Sequence, residues 1–412
     1  MFACPPSPPS PSPPAHRPRY ALHVRVRPGL AIVDGTESVR FTANRPTKRI
    51  VFRLWANSPH YGSNLDVRSV RVDGVRVRGR MPSPTTMVLP HGVARNQTAT
   101  IRLAWRLRVA RSADRIGRWQ TGLRLGSFFP ILPWDAKRGW LIDPAARILG
   151  ESSTSPTADF DVRVRAPAGY TAVVSGTPAS PGRWHARAVR DVAVAVGRFR
   201  PAVGTVHVPN AVTVRVEAAP HTQVPRDILT VAANSLRALS RRYGAYPWKT
   251  YTLVVSPDLH DVGIEYPTLV FIGGSDFITT IVQHETAHQW FYSLVGNDQE
   301  RDPWLDEALA TWAQVHLRSG FPGAPVTGAR PRHVGSPMSF FAGRQSDYFR
   351  EVYGGGLQAL TSLRAPRRVD CALRLYAARE AYAIAQPSNL LDELDRVIPG
   401  ASSRLRRYGI RR

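Results

Sequence analysis

The spacing of apolar residues changes once along this chain, near Pro209, and that change limits the folds open to it. From Tyr20 to about Val203 the apolar residues fall at every second position in short runs. "YALHVRVRPGLAIVDGTESVRFTA" (20–43) is broken by Pro-Gly and Asp-Gly, and "DFDVRVRAPAGYTAVVSG" (159–176) repeats the style. A period of two sends alternate side chains to opposite faces, which predicts strands of a β-sandwich or curved sheet. Beyond Pro209 the period lengthens. In "RDILTVAANSLRALSRRYG" (226–244) Ile228, Leu229, Val231, Ala232, Leu236 and Leu239 recur at helical spacing, and Gly244 suits the stop. "TYTLVVSP" (250–257) reads as a buried strand, "VGIEYPTLVFIGG" (262–274) contains another, and the remainder reads mostly helical. The expected class is α+β: an all-β domain over 19–208, then a mostly helical domain over 209–412.

Residues 1–18 are nearly all Pro and Ser after "MFAC" and predict a disordered, extended tether. Cys4 and Cys371 are the two cysteines, too few for a disulfide framework. Cys4 before a Pro/Ser stretch fits two readings equally, the remnant of a bacterial lipoprotein signal or a chance cysteine in a disordered tail. The first of them points outside the cytoplasm and favours a cell-envelope, extracytoplasmic location. The formal charge is +25, almost all of it arginine. It attracts anionic cell-surface polymers or lipid, but no nucleic-acid-binding motif accompanies it, so no specific nucleic acid is expected. In "DVRSVRVDGVRVRGR" (66–80) arginines alternate with valines, as on the solvated face of a strand. The sequence carries no signal for oligomeric state.

HETAH (284–288) carries the chemistry. On a helix, positions i and i+4 lie on one face about 40° apart, so His284 and His288 can offer ring nitrogens to one metal ion. Glu285 sits beside that face, within reach of a water activated there. Ser275 suits the N-cap and Gly296 the stop, although "FITTIV" (277–282) is β-branched and favours a strand on propensity. Catalytic zinc usually takes three protein ligands and leaves one position open, so a third ligand is needed. "RDPWLDEALATWAQVHLRSG" (301–320) supplies it. Asp302 suits an N-cap, Pro303 the first helical position and Gly320 the stop. Glu307 then lies one turn into this helix, 18 residues beyond His288. A short turn between antiparallel helices brings it back to the His pair. Asp298, Asp302 and Asp306 are rival ligands, while His260 and His316 read as ordinary polar residues.

"HETAHQWFYSLVG" followed by "WLDEALATW" resembles the M1 family of zinc aminopeptidases, in which HExxH and a Glu 18 residues later form a gluzincin site. Upstream, "VGIEYPTLV" (262–270) is similar to the family's Gly-(Gly/Ala)-Met-Glu-(Asn/Tyr)-Pro strand. That strand holds substrate backbone and its Glu binds the free α-amine, which implies these roles for Gly263 and Glu265. Downstream, "YFREVYGGGLQAL" (348–360) is similar to the family's Tyr-x-x-x-Val-Tyr stretch. The resemblance implies that Tyr353 faces the tetrahedral intermediate, with Tyr348 its neighbour. "FRLWAN" (52–57) and "FFPILPWDAKRGW" (128–140) are similar to the family's β domain. The similarity thus runs from about 20 to 410 and implies a thermolysin-like fold for 209–412. The departures are Val262 and Ile264 in the strand, Asp306 and Ala308 beside the third ligand, and Gly355 in place of a lysine. None removes a ligand, the base or the tyrosine. Most members continue into a helical domain that covers the cleft. This chain stops at Arg412, so the expectation is an open cleft, slow turnover and tolerance of long peptides.

The expected chemistry is hydrolysis of a peptide substrate from its N-terminus. One Zn2+ per chain is held by His284, His288 and Glu307. Glu285 is the general base, Tyr353 stabilises the oxyanion, and Glu265 with Gly263 binds substrate. A thermolysin-like endopeptidase shares the HExxH and distal Glu but does not need Glu265. A non-catalytic peptide-binding or anionic-surface-binding protein would not need Glu285.

Overall fold

The computed structural model describes residues 2–150, 154–220, 222, 224, 227–317 and 330–412. The alternating runs of the first half pair into sheets. The largest has eight strands, in the order Thr177–Ser180, Arg183–Val189, Ala158–Arg165, Arg19–Val26, Ile32–Thr42, Thr98–Arg108, Asn64–Val72 and Val75–Arg76. Arg19–Val26 alternates exposed and buried at every residue, so Tyr20, Leu22, Val24 and Val26 face the core as the period predicts. A four-stranded sheet (Ile116–Trp119, Gly122–Leu125, Val194–Gly197, Thr171–Val174) closes over the same core. Phe128, Phe129, Phe160 and Trp105 fill it.

The second half is built on a five-stranded sheet of β1 (Arg200–His207), β2 (Ala211–Ala218), β3 (Thr250–Ser256), β4 (Gly263–Tyr266) and β5 (Leu269–Gly273). Their order is β1-β2-β3-β5-β4, so β4 is an edge strand, antiparallel to β5. Helices α1 (Ile228–Tyr243), α2 (Ile278–Ala287), α3 (Trp304–Leu317), α4 (Pro366–Arg379) and α5 (Pro387–Val397) pack with this sheet into one core. Trp304, Leu305, Ala308, Leu309, Trp312 and Ala313 of α3 are all buried, the pattern of a helix at the centre of a domain.

Three expectations need correction. The segment Arg200–His207 pairs residue for residue with Ala211–Ala218, so it belongs to the second domain and not to 19–208. Alternation identifies a strand but not the sheet it joins. Helix α2 stops at Ala287 rather than running to Gly296. Beyond it the backbone adopts wider i→i−5 hydrogen bonds, Ser293 to His288 O (2.9 Å) and Val295 to Trp290 O (3.0 Å). Gly320, the expected stop of α3, lies outside the described residues.

The third correction concerns the tail. Residues 2–14 have no secondary structure, as their composition predicts, but they are tied down. Cys4 forms a disulfide with Cys371 of α4. Arg374 donates to Pro5 O (2.8 Å), and the Arg368 guanidinium lies 4.7 Å from the Phe2 ring centroid. Arg368, Cys371 and Arg374 are three apart and share one face of α4. The sulfur required by the lipid-anchor reading is therefore bonded to Cys371, and the disordered-tether reading misses a contact made across the whole chain.

Two consecutive residues join the domains. The buried Arg190 guanidinium donates to Tyr292 O (2.8 Å), Ser155 O (3.1 Å), Leu294 O (3.2 Å) and Ala383 O. A Cβ on Gly296 would lie 2.3 Å from its Cζ, so only glycine fits against it. Next to it, Asp191 accepts from Ser127 Oγ (2.8 Å), which lies 3.1 Å from the Tyr266 hydroxyl on β4.

The disulfide closes almost the whole chain into a loop, which restricts the unfolded state most. Cys4→Ser is expected to lower stability by about 2–5 kcal/mol, read as a drop in thermal midpoint. Reductant should reproduce that drop in the wild type and leave the variant unmoved. Equal midpoints in all samples would show that the strap contributes nothing.

Candidate active site

The helix spacing read from the sequence delivers its geometry. His284 Nε2 and His288 Nε2 lie 3.1 Å apart. Glu307 Oε2, arriving on α3, lies 3.2 Å from the first and 3.4 Å from the second. Donors held about 2.0–2.1 Å from one tetrahedral ion sit about 3.3 Å from each other, so this triangle has the size a single metal ion requires. His288 and Glu307 are buried, and His284 is half-buried.

The tautomers agree. His288 Nδ1 faces Phe291 O (3.0 Å), and His284 Nδ1 faces Gln314 Oε1 (3.0 Å). Each Nδ1–H therefore donates outward, and each Nε2 lone pair points into the triangle. Two lone pairs at 3.1 Å beside a carboxylate repel unless a cation or proton lies between them. Burial alone would raise the Glu307 carboxyl, but a proton carried on His284 or His288 Nε2, in the place a cation would take, holds it well below the usual carboxylate range. It is thus an anionic donor at neutral pH. Two imidazoles and one carboxylate, all oriented by outer partners, fit a catalytic metal site.

Around the triangle lies a cavity of about 300 Å³, lined among others by Gly263, Glu265, Ile281, Glu285, Phe349 and Tyr353. Glu265, Glu285 and His288 each place a ligand-type atom within 4.8 Å of the others, and all three are buried. Two buried carboxylates this close favour a cation between them. Gly263 explains how β4 approaches so closely. A Cβ there would lie 2.2 Å from Glu285 Oε1, so any side chain would push the carboxylate away.

Tyr353 sits in a wide, π-type turn (Phe349–Gly355), a form frequent at functional sites. Its ring stacks on His284 with centroids 5.8 Å apart, and its hydroxyl donates to Glu307 Oε1. Tyr348 is buried and packs edge-on against Phe341 and Tyr353. The predicted site residues Gly263, Glu265, His284, Glu285, His288, Glu307 and Tyr353 thus line one cavity. Of the rival ligands, Asp306 turns back to its own helix. It accepts the Glu307 N–H (2.9 Å) and the Gln299 amide (2.8 Å). Asp298 pairs with Arg138 (3.2 Å). Among the described residues, Asp298, Asp302 and Asp306 belong to no group with metal-ligand spacing. His316 stacks on Trp312, and His260 is exposed. Sequence reasoning missed Gln314. Its signal was available, since position i+7 from Glu307 lies two turns along the same face of α3.

Gln314→Ala is expected to weaken metal binding about 10–100-fold while leaving one site. Glu307→Ala should bring metal content close to background. Competition with a chromophoric chelator and elemental analysis measure both. Unchanged affinity in the Gln314 variant would show that His284 is oriented by other means.

Residues 229–324 match the model of the Peptidase family M1 domain. Mouse aminopeptidase RNPEPL1 is 28% identical over 196 residues, 38% of this chain and 26% of that protein. Aminopeptidase N of Streptomyces lividans is 26% identical over 210 residues, 44% of this chain and 24% of that one. The chain thus spans about a quarter of the length of these two relatives. Among solved structures, a mutant of the M1 zinc metallopeptidase of Deinococcus radiodurans bound to a Tyr-Ser-Ala substrate superposes with a TM-score of 0.71. The match is at 22% identity and covers 97% of this chain and 96% of that one. Residues 229–324 thus match the Peptidase family M1 domain, and the chain shares its fold over nearly its whole length with that zinc metallopeptidase.

Proposed function

We propose that this protein is a zinc-dependent aminopeptidase. The observation that carries the reading is Glu265, a buried carboxylate on the edge strand beside Glu285 and the three-donor triangle. Zinc held by His284, His288 and Glu307 would supply Lewis acidity to water and to the scissile carbonyl.

The chain's own residues do the rest. Glu265 accepts the substrate's α-ammonium in a charge-assisted hydrogen bond. The edge of β4, made approachable by Gly263, lies alongside the substrate backbone. Glu285 takes the proton from the attacking water and passes it to the leaving amine. Tyr353, now bonded to Glu307, exchanges that bond for one to the oxyanion. An acetylated N-terminus cannot pair with Glu265, a cost of roughly 1–3 kcal/mol in a buried site. Cleavage therefore falls after the first residue.

We further propose a location outside the cytoplasm or in the cell envelope. The support is the Cys4–Cys371 pair, since disulfides persist in oxidising compartments. The surplus of positive charge would draw the protein to anionic surface polymers or lipid there. Alkylation of intact cells before lysis should leave both thiols unlabelled. Labelled thiols would contradict the location.

Matched peptides, free and N-acetylated, followed by mass spectrometry test the activity. The free form should lose single N-terminal residues, and a chelator should stop the reaction. Glu285→Gln should retain metal and lose nearly all turnover. Tyr353→Phe should lower kcat on the order of 100-fold with little change in KM. Internal cleavage of both peptides at equal rates would replace the aminopeptidase reading with an endopeptidase one.

A further inference from the structure

Five arginines from two distant stretches meet around one surface concavity of about 510 Å³. Arg330 and Arg332 come from one side, and Arg406, Arg407 and Arg411 from the other. Among the described residues, every side chain lining it is an arginine, since the remaining residue is Gly409. All five are exposed. We infer that this concavity is a binding site for a small, multiply charged phosphate anion, separate from the catalytic cleft.

The fold brings these charges together by backbone contact. Val334 N–H donates to Tyr408 O (3.0 Å). Gly409 has φ +79°, and a Cβ there would lie 2.3 Å from Arg332 O. A Cβ on Gly335 would lie 2.6 Å from Gly409 O. Two glycines therefore let the strands of backbone touch, which places both sets of guanidinium groups on one rim. On the inner side, Glu351 accepts the N–H groups of Arg332 and His333, both at 2.9 Å. That carboxylate fixes the backbone of the segment.

The charges on the rim are not balanced from within. Among the described residues, none of the five arginines forms an ion pair, whereas the neighbouring Arg412 pairs with Asp392 and, at 2.9 Å, Asp395. Like charges gathered in one hollow repel, and an anion of matching charge removes the repulsion. Guanidinium groups present planar, paired donors that fit phosphate oxygens bidentately and are weakly hydrated. The hollow shape favours a compact soluble anion, because a flat bilayer would reach the rim but not the interior. A linear tripolyphosphate offers many such oxygens and several negative charges on one compact chain.

The test titrates the full-length, zinc-loaded protein with inorganic tripolyphosphate by calorimetry at near-physiological salt. One variant combines Arg332→Ala, Arg407→Ala and Arg411→Ala. A control combines Arg76→Ala, Arg78→Ala and Arg80→Ala, three exposed arginines of the first domain. The control has the same net charge and the same metal site, so heat from chelation cancels. Thermal melts establish that both are folded. Saturable one-to-one binding is expected in the wild type and control, weakened on the order of tenfold or more in the first variant. Equal weakening in both variants would reduce the effect to net charge and overturn the site. So would absence of saturable binding in the wild type. A further arm uses vesicles of phosphatidylglycerol and phosphatidylcholine. Vesicle binding that tripolyphosphate does not displace would assign the arginines to a lipid surface and overturn the soluble-anion site. None of these readouts depends on peptide hydrolysis, so failure here leaves the aminopeptidase reading standing.

Discussion

One buried guanidinium, that of Arg190, holds the turn on which the metal-ligand helix ends. Removing an arginine from water is costly, and burial pushes Arg190 down to about 10, still cationic at neutral pH. The charge persists because four backbone carbonyls surround it. Two of them, Tyr292 and Leu294, belong to the wide turn after His288. Tyr292 has φ 121°, a region that residues other than glycine rarely adopt. Arg190 binds the carbonyl of that same residue, which stabilises a conformation the local sequence would not choose. Asp191, the next residue, reaches through Ser127 to Tyr266 beside Glu265. Two adjacent residues of the β domain thus set both sides of the cleft, the ligand helix on one and the edge strand on the other.

The consequence for the site is geometric. Because α2 gives way to wider hydrogen bonding after Ala287, Phe291 O folds back to His288 Nδ1 at 3.0 Å. A helix continued to Gly296 would have used that carbonyl within its own ladder. The end of the helix therefore fixes the tautomer of the second histidine, and Gln314 fixes the first. Glu285 is positioned from the opposite side, where Gly263 leaves room for its carboxylate against β4. Three independent elements thus converge on one point: α2 with its two rings, α3 with Glu307 and Gln314, and β4 with Gly263 and Glu265.

What the sequence made legible follows from the range of each interaction. The His284–His288 pair depends on helix pitch alone, and Glu307 on pitch plus one reversal of direction. Both could be read from spacing. Gln314 was equally local but went unread because an amide carries no metal-ligand signal. Arg190, Phe291 O and the Cys4–Cys371 bond could not be read this way, because their partners are set by tertiary packing. The strand Arg200–His207 shows the same limit on the scale of a domain. Its alternation was plain, yet only pairing with Ala211–Ala218 decides where it belongs. The Pro/Ser tail shows it for disorder, since composition predicts the lack of regular structure but not a cross-link 367 residues away.

Arginine accounts for almost all of the positive charge, and the structure uses it in two opposed ways. Arg53, Arg124 and Arg190 are buried, each with a lowered affinity for its proton because burial disfavours the charge. Each bridges elements far apart in sequence. Arg53 donates to Asp143 O (2.7 Å) and lies 3.9 Å over the Trp55 ring. Arg124 reaches from the first domain to Asp258 beyond β3 (2.7 Å). A lysine has three donors on one compact, strongly hydrated centre and could not satisfy carbonyls spread around a plane. At the rim of Arg330, Arg332, Arg406, Arg407 and Arg411 the same planar donors are exposed and, among the described residues, have no carbonyl cage to fill. The geometry that lets a buried guanidinium join two domains is the geometry that suits an exposed one to a phosphate. The difference lies in whether the acceptors come from the chain or from solution.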